Sequence, residues 1–87
     1  MIATSFNSRP HRAGKTLRQA AFVARSLPDD AMAALIAFRA VPCAAVIRKS
    51  DRFEATALGY RGTSRLTREA AVMNWRRAVL DAASKDL

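Results

Sequence analysis

Pro42 divides this chain into two unlike halves. Proline has no backbone N–H and a fixed φ, so a helix does not run through it, and the apolar spacing changes on either side of it. Before Pro42 the apolar residues recur three and four positions apart; after it they alternate. A chain of 87 residues has room for one modest core, so both halves must share it. The expected fold class is therefore α+β: two N-terminal helices, a β-hairpin or small antiparallel sheet, and a C-terminal helix, in the order α-α-β-β-α. Residues 1–14 are expected to be an extended basic arm, and residues 15–87 a single α+β domain.

In the arm, Asn7, Pro10 and Gly14 interrupt any sustained period, although Ile2 to Phe6 is long enough for a short edge strand that would make the sheet three-stranded. Thr16 and Gln19 have the spacing of a capping box, ahead of a helix at about 16–26 whose apolar face is Leu17, Ala20, Ala21, Ala24 and Leu27. Phe22 falls on its basic side. Pro28, Asp29 and Asp30 suit the first turn of a second helix, at about 29–39. Met32, Leu35, Ile36 and Phe38 make that helix apolar around most of its circumference, as a central core element would be. Cys43 to Arg48 is the first strand, with Cys43 an inert packed thiol. Residues 53–60 are the second, joined to it by the polar turn Lys49 to Arg52. Gly59 and Gly62 flank a basic loop at Tyr60 and Arg61. A last helix capped by Thr67 presents Ala71, Trp75, Ala78, Val79 and Ala82 to the sheet, with Arg76 and Arg77 reaching solvent.

Charge is the least ordinary property. Fifteen Lys and Arg against seven Asp and Glu give a net charge of +8, which calls for an acidic partner: the surface of a protein or nucleoprotein complex, or nucleic acid directly. Most of the cations are Arg, whose planar fork fits phosphate and carboxylate. They fall into three groups. Arg9, Arg12, Lys15, Arg18 and Arg25 stand in residues 1–28 without a single acid. Arg48, Lys49 and Arg52 surround the hairpin turn, and Arg61, Arg65 and Arg68 surround the connection into the last helix, where N-terminal amides also favour anions. A solvated surface that keeps a small protein soluble is the plain alternative for any one group.

No catalytic residues, cofactor or metal are expected. The chain has one His and one Cys, so neither a metal-ligand cluster nor a paired nucleophile and base is suggested. Gly14-Lys15-Thr16 has the ending of a phosphate-binding loop, but Arg9 occupies the position of that motif's first glycine, so helix capping is the simpler role. Glu54 and Glu69 have plain roles as solvated or dipole-compensating groups. The stretch from Ala31 to Ile47 is broken by Arg39 and Pro42 and is too short to span a membrane, so no membrane partner is expected. Residues 1–28 have the acid-free composition of a transit peptide, but a chain that keeps Met1 is expected to remain uncleaved and cytoplasmic.

Two resemblances follow from these residues. Ala70, Ala78 and Val79 match alanine offsets in the last helix of double-stranded RNA-binding domains, which the chain resembles in element order over about 20 residues. Thr67-Arg68-Glu69 and Asn74-Trp75 depart from that pattern, and no RNA-contacting roles carry over. In its size, its charge and its lack of catalytic residues, the chain also resembles small phage-encoded inhibitors of bacterial defence, of the anti-CRISPR type. That class shares no motif, so the resemblance implies a mechanism and no residues: occlusion of a surface on a nucleoprotein effector. The expected function is thus a small non-enzymatic binding protein, most simply such an inhibitor; the alternative is a sequence-tolerant nucleic-acid-binding or regulatory module.

Local charge density makes the N-terminal group the expected main contact. Reversing Arg12, Lys15 and Arg18 to Glu should abolish partner binding while the circular dichroism spectrum is unchanged. Normal binding by that variant would remove the N-terminal group from the interface.

Overall fold

The computed structural model describes residues 16–86. Helix α1 covers 16–26 and α2 Ala31–Arg39; the strands are β1 (Ala45–Arg48), β2 (Phe53–Ala57) and β3 (Tyr60–Ser64), and α3 is Arg68–Asp86. The fold is α+β in the order α-α-β-β-β-α, with an antiparallel sheet ordered β1-β2-β3. The expected edge strand at Ile2 to Phe6 and the basic arm lie outside the described residues. The third strand is instead the segment that sequence spacing assigns to a glycine-flanked loop.

The cause of that difference is a two-residue turn. Ala57 pairs with Tyr60, and between them Leu58 (φ 53°) and Gly59 (φ 84°) both adopt left-handed backbone. Two consecutive positive φ values define the turn whose twist matches a hairpin. Its usual signal is Asn-Gly or Asp-Gly, and leucine in the first position hides it. Leu58 accepts a conformation that costs about 1–2 kcal/mol while its side chain packs against the core. The first hairpin joins its strands through four residues, 49–52, across which Lys49 N–H donates to the Arg52 carbonyl at 2.7 Å.

Cys43 is not a strand residue. It sits exposed in the turn before β1 with φ 65°, because Pro42 and the bonds from Val41 N–H to Phe38 O and from Ala44 N–H to Val41 O bend the chain before it can extend. Pro28 likewise precedes α2 rather than entering it. Asp30 is the N-cap, its carboxylate accepting from Ala33 N–H at 2.9 Å. Thr67 caps α3 as its sequence position implies, accepting from Ala70 N–H at 3.0 Å. Thr16 is already helical.

The core is organised around α3, not α2. Ala71, Val72, Trp75 and Val79 are fully buried, whereas Ala78 is exposed, so the buried stripe is rotated towards Val72. Trp75 meets Phe38 of α2 edge to face, with ring centroids 5.0 Å apart, and its indole N–H donates to the Ala57 carbonyl at 3.1 Å. One residue thereby joins α2, β2 and α3, and its only polar group is satisfied. On α2 only Ala34, Leu35 and Phe38 are buried; Met32 and Ile36 face out at 53% and 66% exposure. Helix α1 buries Ala20, Ala21 and Ala24, with Leu27 just beyond it, and leaves Phe22 exposed. Arg76 is drawn inward rather than out to solvent: its Nε donates to the Ala24 carbonyl at 3.0 Å, and Nη1 lies 3.4 Å from Asp29. This bond fastens the end of α1 to α3.

Gly62 sets how closely α3 lies on the sheet. A Cβ at this position would overlap the backbone of α3 at Trp75 N and Ala71 O, so the helix rests directly on the backbone of β3. Asn74 reinforces the contact, donating through Nδ2 to the Thr63 carbonyl at 2.6 Å. Gly62→Ala should therefore destabilise the protein by about 3 kcal/mol, the upper range for overpacking. Gly59→Ala, strained only in its backbone, should cost about 1 kcal/mol. Urea unfolding of both variants checks this order, and equal losses would contradict it.

Candidate functional site

The pleat of β2 and β3 separates two surfaces. Gly62 faces α3, so its register partner Ala55 faces α3 as well, and with it Phe53 and Ala57. Glu54, Thr56, Arg61, Thr63 and Ile47 therefore lie on the opposite face. On that face Glu54 is only 5% exposed, which is not the solvated role that its alternation pattern suggests. Its two oxygens are divided between two cations: Oε1 lies 3.4 Å from Lys49 Nζ and Oε2 3.4 Å from Arg61 Nη1. Lys49 belongs to the first hairpin turn and Arg61 to the second hairpin, so one buried carboxylate ties together residues from two basic groups that are separate in sequence.

The register continues this convergence. Phe53 pairs with Arg48 on one side and Ser64 on the other, and the Arg68 guanidinium lies over the Phe53 ring, 5.0 Å from its centroid. At this distance the ring quadrupole attracts the cation. Arg52 and Arg65, one residue beyond the paired ends, line a hollow with Arg61, Thr63 and Ser64. The end of the sheet thus gathers Arg48, Lys49, Arg52, Arg65 and Arg68, and Arg61, paired with Thr56 further along β3, reaches towards it through Glu54. Of the two acids within these segments, Asp51 pairs with Arg52 at 3.5 Å and Glu54 is buried. The exposed apolar side chains of Ile47 and Leu66 stand among the cations.

The N-terminal group is distributed differently. Arg18 and Arg25 are exposed on α1, whereas Arg9, Arg12 and Lys15 lie outside the described residues. Arg18 lines an apolar trough with Gln19, Phe22, Val23, Val41, Pro42 and Leu58. Tyr60, which sequence spacing assigns to the basic loop, is half-buried and packs against the core. Among the described residues no three His, Cys, Asp or Glu side chains are placed to hold a metal ion, and no helix is long and apolar enough to cross a membrane.

Sequence spacing missed two features of this site. The merging of the basic groups depends on β3, which the Leu58-Gly59 turn concealed. The pairing of Glu54 with both Lys49 and Arg61 likewise depends on the register of two hairpins. A glutamate on a central strand between positions that become basic neighbours carried the signal, but only once the register was known. No protein-family model, curated protein or solved structure matches the chain.

Losing both partners would leave the Glu54 carboxylate buried and unpaired, which costs about 3 kcal/mol. Lys49 and Arg61 are themselves substantially exposed, so either single loss should cost about 1 kcal/mol or less. Lys49→Met with Arg61→Met should therefore lose clearly more stability than the sum of the single variants, as measured by urea unfolding. Simple additivity would show that Glu54 is not held between them.

Proposed function

We propose that the protein is a non-enzymatic binding protein that docks on an acidic nucleoprotein surface through the basic end of its sheet, in the manner of an anti-CRISPR-type inhibitor. One observation carries this reading: the two hairpins bring Arg48, Lys49 and Arg52 to the end of the sheet that holds Arg65 and Arg68, and Glu54 joins Lys49 to Arg61. Sequence density alone favours the N-terminal cations as the main contact, but the sheet end is the more organised surface. Its cations are positioned by strand register, a buried carboxylate and an aromatic ring. Fixed side chains lose less rotamer freedom on binding than free ones do.

The composition of the patch supports a protein component in the partner. Leu66 is 82% exposed between Arg65 and Thr67, and Ile47 is exposed beside Glu54. Arginines around exposed apolar side chains are the makings of an interface in which the apolar groups supply buried area and the cations supply orientation and on-rate. A surface meant for phosphates alone has no use for Leu66.

Nucleic acid bound directly and without a protein partner is the alternative, and nuclease separates the two. The tagged protein is used to capture partners from bacterial lysate with and without nuclease. A partner should survive nuclease and be lost when Arg48, Lys49 and Arg52 are changed to Glu. Reversal of Arg18 and Arg25 should weaken capture less. Complete loss on nuclease treatment would replace the inhibitor reading with the nucleic-acid module, and undiminished capture by the sheet-end variant would refute the choice of surface.

A further inference from the structure

The hollow lined by Arg52, Arg61, Thr63, Ser64 and Arg65 is built from hydrogen-bond donors. We infer that it is a phosphate-binding site, occupied by a backbone phosphate of the nucleic acid held within the docked complex. The inference rests on the docking reading above and specifies what the partner contributes at one point of that surface.

Repulsion is the first argument. The pairing of Phe53 with Ser64 sets residue 52 across from residue 65, so Arg52 and Arg65 extend from neighbouring strands at the same level, with Arg61 lining the same hollow. Like charges placed opposite one another in a sheet are destabilising. No acid lines the hollow. Among the described residues no carboxylate lies within ion-pair distance of Arg65, and the Asp51 partner of Arg52 is an exposed contact at 3.5 Å. An anion placed among these guanidinium groups offsets their mutual repulsion.

Donor chemistry is the second. Glu54 Oε2 holds one end of the Arg61 guanidinium at 3.4 Å while the side chain remains 66% exposed, so that fork is oriented and still open to solvent. Ser64 pairs with Phe53 and so stands on the α3 side of β3, where its hydroxyl accepts from Leu66 N–H at 3.0 Å. Thr63, on the same face as Arg61, offers its hydroxyl, because its contact with Asn74 uses the backbone carbonyl. Phosphate oxygens along a nucleic-acid strand take such donors from Arg and Thr together.

The test uses the intact protein, a short single-stranded oligonucleotide and a poly-glutamate peptide of equal charge. In 15N-resolved NMR titrations the oligonucleotide should shift the amides of Arg61, Thr63, Ser64 and Arg65. Arg65→Gln should weaken its binding by about tenfold and lower the slope of log K against log salt by about 0.7, one single-strand phosphate contact. Thr63→Val, which keeps a β-branched side chain and removes only the hydroxyl, should weaken binding several-fold. Arg77→Gln, at an exposed position on α3, should leave it unchanged. Equal affinity for poly-glutamate, an equal effect of Arg77→Gln, or the absence of shifts at residues 61–65 would overturn the phosphate site. If those failures occur while nuclease-resistant capture persists, docking stands and the hollow meets protein instead.

Discussion

The absence of one side chain, at Gly62, conditions most of what this fold does. With no Cβ at that position, the backbone of α3 lies against β3 near Ala71 and Trp75. Dispersion falls away steeply with separation, and the core has few large side chains with which to bridge a wider gap: Trp75, Phe38, Val72 and Val79 are the largest that are fully buried. The rest of the buried interior is dominated by alanine, which fills space only where backbones approach closely. Ala20, Ala21, Ala24, Ala34, Ala55, Ala57 and Ala71 are all part of it. A small protein obtains close packing here by bringing its backbones together rather than by filling the space between them.

The same contact determines where the charge goes. Once α3 covers one face of the sheet, the other face carries Glu54, Arg61 and Thr63, and the far end carries Arg48, Arg52, Arg65 and Arg68. Trp75 fixes α2 against the opposite side of this arrangement through Phe38, and Arg76 fixes α1 through the Ala24 carbonyl. The result is a scaffold on which Arg48, Lys49, Arg52, Arg65 and Arg68 stand at one end of the sheet, with Arg61 tied to them through Glu54. Glu54 gives that grouping order at the cost of one negative charge, since Lys49 and Arg61 share it without being buried by it.

Much of the fold was legible in the residues. Pro42 marked the change from helical to alternating spacing, Thr67 marked the start of α3, and the face of α1 through Ala20, Ala21, Ala24 and Leu27 is the one that is buried. What escaped detection had local physical causes. Leu58 stands in a left-handed turn that asparagine would have announced, so spacing alone reads β3 as a loop. The apolar circumference of α2 implied burial, yet Met32 and Ile36 are exposed because α3 takes the central position. Arg76 looked like a solvent residue, but nothing in the spacing shows that the Ala24 carbonyl needs a donor. The cations of the sheet end were all named from composition and position. Their assembly into one surface was not legible, because it follows from strand register and from tertiary contacts with Glu54 and Phe53.

The central claim is that two basic groups, distant in sequence, meet one partner as a single surface. A double-mutant cycle between Arg52→Gln and Arg65→Gln, read as the dissociation constant of a single-stranded oligonucleotide, tests it most directly. Residues that share a bound phosphate should be coupled by more than about 0.5 kcal/mol, whereas independent sites add to within about 0.3–0.5 kcal/mol. A cycle that closes additively would contradict the claim and leave the two groups as separate solvated charges.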